Sequence, residues 1–259
     1  MTFVDLRRLT SPQAAALDGR TVGVVEVGAC EQHGPHLPLA TDNLITEALV
    51  REAAERVVEP VVVAPLVAVG LSDHHAAFAG TVTLTRETLL SVVDAHVAAF
   101  ARMGVRRVAL LSAHGGNFAA LGDAAARASA AEVHAYTDFA GLLATMAKAG
   151  RAAGLDAPAT DSHAGAYETS MVLAIEGEDA VGAFDAVEGY VAAEEGWLER
   201  LAGGVHELSP TGVVGRPAGA TAAVGVRILD ALAEEIAGWL ARTFGLAARE
   251  AATSRAGAP

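Results

Sequence analysis

Apolar and polar positions alternate along the chain in two rhythms, one of strands and one of helices. Thr21–Gly28 (TVGVVEVG) is a short β-branched run closed by glycine, the pattern of a buried strand. Arg106–Ser112 is the clearest strand, and Glu132–Tyr136 is another. Val61–Val69 reads as a strand interrupted at Pro65, which predicts an edge or a bend, and Thr81–Thr85 reads as a further strand. Helical spacing places Leu44, Ile45, Ala48, Leu49 and Ala53 on one face of a helix from about Asn43 to Val58. Thr85 can cap a helix reaching about Met103, whose apolar face holds Leu89, Val92, Val93, His96, Val97 and Phe100. A helix is expected near Phe118–Ala130. Val224, Ile228, Leu232, Ile236 and Leu240 mark a long final helix over Thr221–Phe244. Glu168–Ile175 fits a helix or a strand equally well.

Strands alternating with helices predict βαβ units and an α/β fold, with a mainly parallel sheet covered on both faces. Residues 140–165 and 185–220 carry no clear rhythm. Gly203-Gly204 and Ser209–Gly219 read as loop, and 247–259 as a frayed tail, leaving 1–246 as one domain.

Composition supports this picture. Of the 259 residues, 52% are hydrophobic and 19% charged, enough to bury a large core. The formal net charge of −13 argues against a nucleic-acid partner. Arg102, Arg106 and Arg107 are the one basic run, and they read as a solvated strand edge. A lone cysteine, Cys30, precludes an internal disulfide and fits a reducing cytoplasm. No apolar stretch is long enough for a membrane span, and Met1–Arg8 lacks the apolar run of a signal peptide.

Candidate chemistry sits in three polar clusters, each after a predicted strand, where an α/β sheet forms its ligand crevice. Glu31-Gln32-His33-Gly34-Pro35-His36, continuing to Thr41-Asp42, combines imidazole with carboxylate and suits Zn²⁺, Mn²⁺ or Fe²⁺. His114-Gly115-Gly116-Asn117 lets backbone approach a ligand at a helix start. Asp161-Ser162-His163 with Glu168-Thr169-Ser170 adds an imidazole and a carboxylate five residues apart. Of the adjacent His74 and His75, one at most is expected to reach a site. His96 reads as a satisfied core histidine, and His134 and His206 carry no role.

These runs resemble the creatininase family of metal amidohydrolases. The resemblance rests on Glu31 to Leu39 with Thr41-Asp42, then Ser72-Asp73-His74-His75 with Phe78-Ala79-Gly80-Thr81, then the HGGN run, then His163-Ala164-Gly165 with Glu168-Thr169-Ser170. It covers about residues 20–245. It implies a three-layer α/β/α sandwich and a divalent metal site, two ions being usual, with zinc first and manganese or iron as alternatives. Glu31, Asp42 and His114 match the ligands of one ion. His33 and Asp42 match those of the other, with Asp42 bridging. Creatininase proper has a glutamate where this chain has Gly116, which makes Glu168 the expected substitute ligand and puts creatinine itself in doubt. His163 matches an acid/base histidine, with Glu168 beside it. His36, Ser72, His75, Gly115 and Asn117 are the expected substrate contacts. The implied reaction is hydrolysis of a C–N bond (amide, lactam or formamide) in a small polar molecule, in a cytoplasmic homo-oligomer, a hexamer by the same resemblance. Trimming of a short peptide, a non-catalytic metal-binding role and a Cys30 thiol mechanism are the competing readings.

Overall fold

Valines at every second position of the central strands point alternately to two opposite cores, and this forces helices onto both faces of one sheet. A computed structural model describes residues 2–158, 160–191 and 196–249. Its strands are β1 (Phe3–Asp5), β2 (Val22–Glu26), β3 (Val61–Val63), β4 (Arg107–Leu111) and β5 (Glu132–Ala135), all parallel, in the order β1-β3-β2-β4-β5. The helices are α1 (Ser11–Ala15), α2 (Thr41–Glu55), α3 (Arg86–Arg102), α4 (Phe118–Arg127), α5 (Phe139–Ala152), α6 (Ala166–Glu176), α7 (Trp197–Gly203), α8 (Val205–Leu208) and α9 (Ala222–Phe244).

Val22, Val24, Val61, Val63, Ala109 and Leu111 pack with α2, α6 and α9. Val25, Val62, Val108 and Leu110 pack with α3 and α4 on the other face. Gly23 is needed there: a Cβ would come within 2.9 Å of the Phe100 ring. Burying that ring contributes about 1.5–3 kcal/mol. Thr85 and Thr221 cap α3 and α9 by accepting from the N–H groups of Thr88 and Val224.

Several expectations change. β3 ends at Val63 and lies between β1 and β2, so it is not an edge; Pro65 bends the chain, and Val67 rejoins Val27 at a single bridge. Thr81–Thr85 is not a strand. Val82 makes one bridge to Cys30, while the Thr81 and Thr83 hydroxyls accept from the backbone N–H of Gln32 and Ser72 at 3.1 and 2.9 Å. The edge strands are β1 and β5, and β1 is too short to show a period. Glu168–Ile175 is helical, and residues 140–165 contain most of α5. Arg107 is no solvated edge: its guanidinium donates to the carbonyls of Phe244, at 3.1 Å, and Arg20. The tail is tied down at its start, where Arg249 N–H donates to Arg56 O at 2.8 Å, and residues 250–259 lie outside the described residues. Among the described residues no helix is long and apolar enough to cross a membrane.

Candidate metal centre

β2 and β4 pair in register to their last residues, Glu26 against Leu111, so the loops that follow emerge side by side. The first loop folds back on itself. Glu31 N–H donates to Leu39 O, and His33 bridges Leu37, with Gly34 at φ +67° in the left-handed region. The turn leaves Glu31 and His33 fully buried. His33 Nδ1 donates to Glu31 O at 3.1 Å, which leaves Nε2 to face the site. That nitrogen faces Asp42 Oδ1 at 3.7 Å and Glu168 Oε2 at 3.8 Å.

Asp42 stands in the first turn of α2 and reaches a second imidazole. Its Oδ2 lies 3.4 Å from His114 Nδ1. The other nitrogen of His114 lies 3.3 Å from Glu31 Oε2 and 2.9 Å from Leu71 O. Glu168 arrives from the first turn of α6. Asp161 anchors that helix start by accepting from the N–H groups of Ala166 at 2.9 Å and Tyr167 at 3.3 Å. Ala164, a non-glycine residue at φ +52°, turns its own N–H onto Glu168 Oε2 at 2.6 Å.

All the sequence-predicted ligands therefore converge. Glu31, Asp42, His114 and Glu168 line a cavity of about 640 Å³, with His163 and His75 beside them. Leu71, Phe118, Phe139 and Leu201 supply its apolar wall. The expected substrate contacts divide. Gly115 and His75 line the cavity, but His36, Ser72 and Asn117 do not. His36 Nε2 pairs with Thr169 Oγ1 at 2.9 Å. Ser72 is wholly buried beneath the loop. Asn117 is a brace: it donates to Gly28 O and Ser112 Oγ and accepts from Leu71 N–H. Cys30 Sγ lies 3.8 Å from Gly80 O, away from the cavity lining.

Beyond the apolar wall, His74 is a metal-ligating type of residue that the sequence did not assign to the site. His74 lines the cavity together with His75. Adjacent side chains diverge on a strand, but Asp73–His75 forms a single 3₁₀ turn, and both rings stay on the cavity side. His96 behaves as expected, half-buried with Nδ1 donating to Val92 O.

Electrostatics match a cation-binding site. Burial would lower His33, but Asp42, Glu168 and Glu31 outweigh it and raise it to about 10. Burial would raise Asp42, but His114 and His33 hold it down at about 2. Burial pushes Glu31 and Glu168 up to about 7, against the pull of neighbouring histidines. His163 and His75 fall below the ordinary histidine value, chiefly through burial. Both Glu31 oxygens, His33 Nε2 and Asp42 Oδ2 are buried with no hydrogen-bond partner. Such orphaned acceptors crowded together fit a divalent cation, which satisfies several at once. Donor atoms of His33, Asp42 and Glu168 lie within 4.8 Å of one another, as do those of Glu31, His74 and His114.

The chain is 32% identical over 247 residues to a mycofactocin precursor peptide peptidase of Mycobacterium tuberculosis, covering 86% of this chain and 87% of that one. It is 34% identical over 228 residues to the protein of the same name from Mycolicibacterium smegmatis, covering 83% and 84%. A manganese form of creatininase superposes with a TM-score of 0.72 at 24% identity, over 93% of this chain and 98% of that one. A Zn–Zn type of a creatininase mutant gives 0.73 at 23% identity, over 94% and 99%. The creatinine amidohydrolase profile matches residues 7–240, so the chain belongs to the creatininase family of hydrolases.

Proposed function

We propose that this hydrolase holds divalent cations at Glu31, His33, Asp42, His114 and Glu168 and cleaves an amide bond in a short peptide. One observation carries the metal assignment: the Nε2 of His33, buried and without a hydrogen-bond partner, has carboxylate oxygens of Asp42 and Glu168 as its facing neighbours, an anionic surround that a cation in place of the proton would satisfy. Zinc, manganese or iron suits such mixed nitrogen and oxygen donors. When bound, the cations supply Lewis-acid polarisation of the carbonyl and acidify a water molecule.

The chain's own residues do the rest. His163 keeps its proton on Nε2, which donates to Gln32 O at 2.8 Å, and so presents a bare Nδ1 towards the site, 3.8 Å from Glu31 Oε1. That nitrogen is placed to take a proton and pass it to the leaving amine. Leu71, Phe118 and Phe139 exclude water from one side of the bond and give an apolar side chain a surface to rest on.

Peptide is preferred over the small lactam or formamide that sequence reading put first. Two reasons support it. The relatives with substantial identity over most of their length are named peptide peptidases. The cavity, about 640 Å³, has room for several residues, far more than a single small ring needs. Metal-loaded protein incubated separately with a set of short peptides and with creatinine, followed by mass spectrometry, tests the choice. Shortened peptides with creatinine intact are expected. Creatinine turnover with every peptide intact would overturn it.

A further inference from the structure

We propose that His74 is itself a metal ligand, the partner of Glu31 and His114 in a donor set separate from His33, Asp42 and Glu168. The inference rests on the cation-binding reading above and adds a residue that reading does not use.

The space around Gly116 carries the argument. A Cβ at this position would stand 2.3 Å from His114 Nε2, 2.5 Å from Leu71 O and 3.0 Å from His74 Cε1. No side chain fits there. The volume that one would fill is taken by His114 Nε2 and Leu71 O, with the edge of the His74 ring beside them; that ring lies nearly parallel to His114, with centroids 5.6 Å apart and an interplanar angle of 11°. One donor atom each from His74, Glu31 and His114 falls within a 4.8 Å span.

Glu31 makes the second, independent observation. Its side chain is wholly buried and both of its oxygens lack a hydrogen-bond partner. A buried carboxylate is costly unless a positive charge meets it, and the neutral imidazole of His75, 3.2 Å from Oε1, supplies none. Glu168 does not meet that need at this end, because it groups with His33 and Asp42. At the Glu31 Oε2 end, where His114 stands 3.3 Å away, His74 completes a three-residue donor set. The two triads share no residue, and Asp42 stands between them, its Oδ1 3.7 Å from His33 Nε2 and its Oδ2 3.4 Å from His114 Nδ1.

Cobalt(II) serves as the probe, because its visible absorption reports coordination without any assay of activity. The wild-type chain, stripped and titrated with Co²⁺, should take up about two ions, as a paired-cation site would. His74→Ala should take up about one tightly, with the second weakened roughly 100-fold or more, and with a changed visible band. His74→Glu returns an oxygen donor and should restore the second ion. Circular dichroism and a melting curve confirm that the variants fold. Wild-type stoichiometry and an unchanged spectrum in His74→Ala would overturn the assignment while leaving the cation-binding reading intact. A wild-type chain that binds no Co²⁺, Zn²⁺ or Mn²⁺ would overturn both.

Discussion

Gln32 Nε2 lies 2.7 Å from His75 Nδ1, and this contact fixes which nitrogen of His75 carries the proton. The orientation of the amide is set by Gly34, whose N–H donates to Gln32 Oε1 at 2.9 Å. The amide's two N–H groups then face His75 Nδ1 and Gly212 O, at 3.1 Å for the latter. His75 Nδ1 must accept, so its proton sits on Nε2, 3.2 Å from Glu31 Oε1. A chain of contacts thus runs from the backbone turn to the carboxylate.

Removing the first link should loosen the last. Gln32→Leu is expected to weaken divalent-cation binding about 10–100-fold, the usual scale for a residue supporting a ligand. Calorimetric titration measures the affinity. Nitrogen-15 spectra should show Nε2–H on His75 in the wild type and a mixed population in the variant. An unchanged affinity would show that His75 orients without help.

Gly116 offers a direct steric test. Gly116→Ala places a methyl within 2.3 Å of His114 Nε2 and 2.5 Å of a backbone carbonyl, neither of which can yield cheaply. We expect a loss of about 1–3 kcal/mol of stability, the ordinary cost of overpacking, together with weaker metal binding. Gly116→Glu should do worse rather than supply a ligand. A melting curve identical to wild type would contradict the packing described.

Glu26 gives a prediction in pH. It is buried at the end of β2. Burial, with repulsion from Glu47, pushes its carboxyl from 4.5 up to about 8, against the pull of Arg7. The folded chain therefore binds this proton more tightly than the unfolded one. Stability from this group is fully present below pH 4.5 and is lost as pH rises towards about 8. Glu26→Gln keeps the shape and removes the titration. Its melting temperature should match wild type in acid and exceed it by on the order of 10 °C in mild base, at about 2–4 °C per kcal/mol for a chain of this size. Parallel curves across the range would contradict the shift.

What could be read from the residues depended on how far each feature extends along the chain. β2 and β4 are five residues each and alternate cleanly, so their valines and leucines declare two buried faces. β1 and β3 are three residues each, too short for any period to emerge. Thr81–Thr85 has strand composition, but its hydroxyls brace the loops of Gln32 and Ser72, a use that composition does not distinguish from a ladder. The cluster of candidate ligands was legible because residue types and loop position both point to cations. His74 was not, since its placement follows from a one-turn 3₁₀ segment. His36 and Asn117 sit inside the same motifs as the ligands, yet they brace the scaffold, one against α6 and the other between the loops after β2, β3 and β4.

The central claim is that buried imidazoles and carboxylates, brought together from separate loops, grip divalent cations. Metal content by mass spectrometry, after loading and exhaustive dialysis, tests it most directly when wild type is set beside Asp42→Ala. Asp42 faces both His33 and His114, so the variant should lose nearly all bound metal while the wild-type chain retains about two ions. A wild type that emerges without metal, or an Asp42→Ala chain that keeps its full complement, would contradict the account.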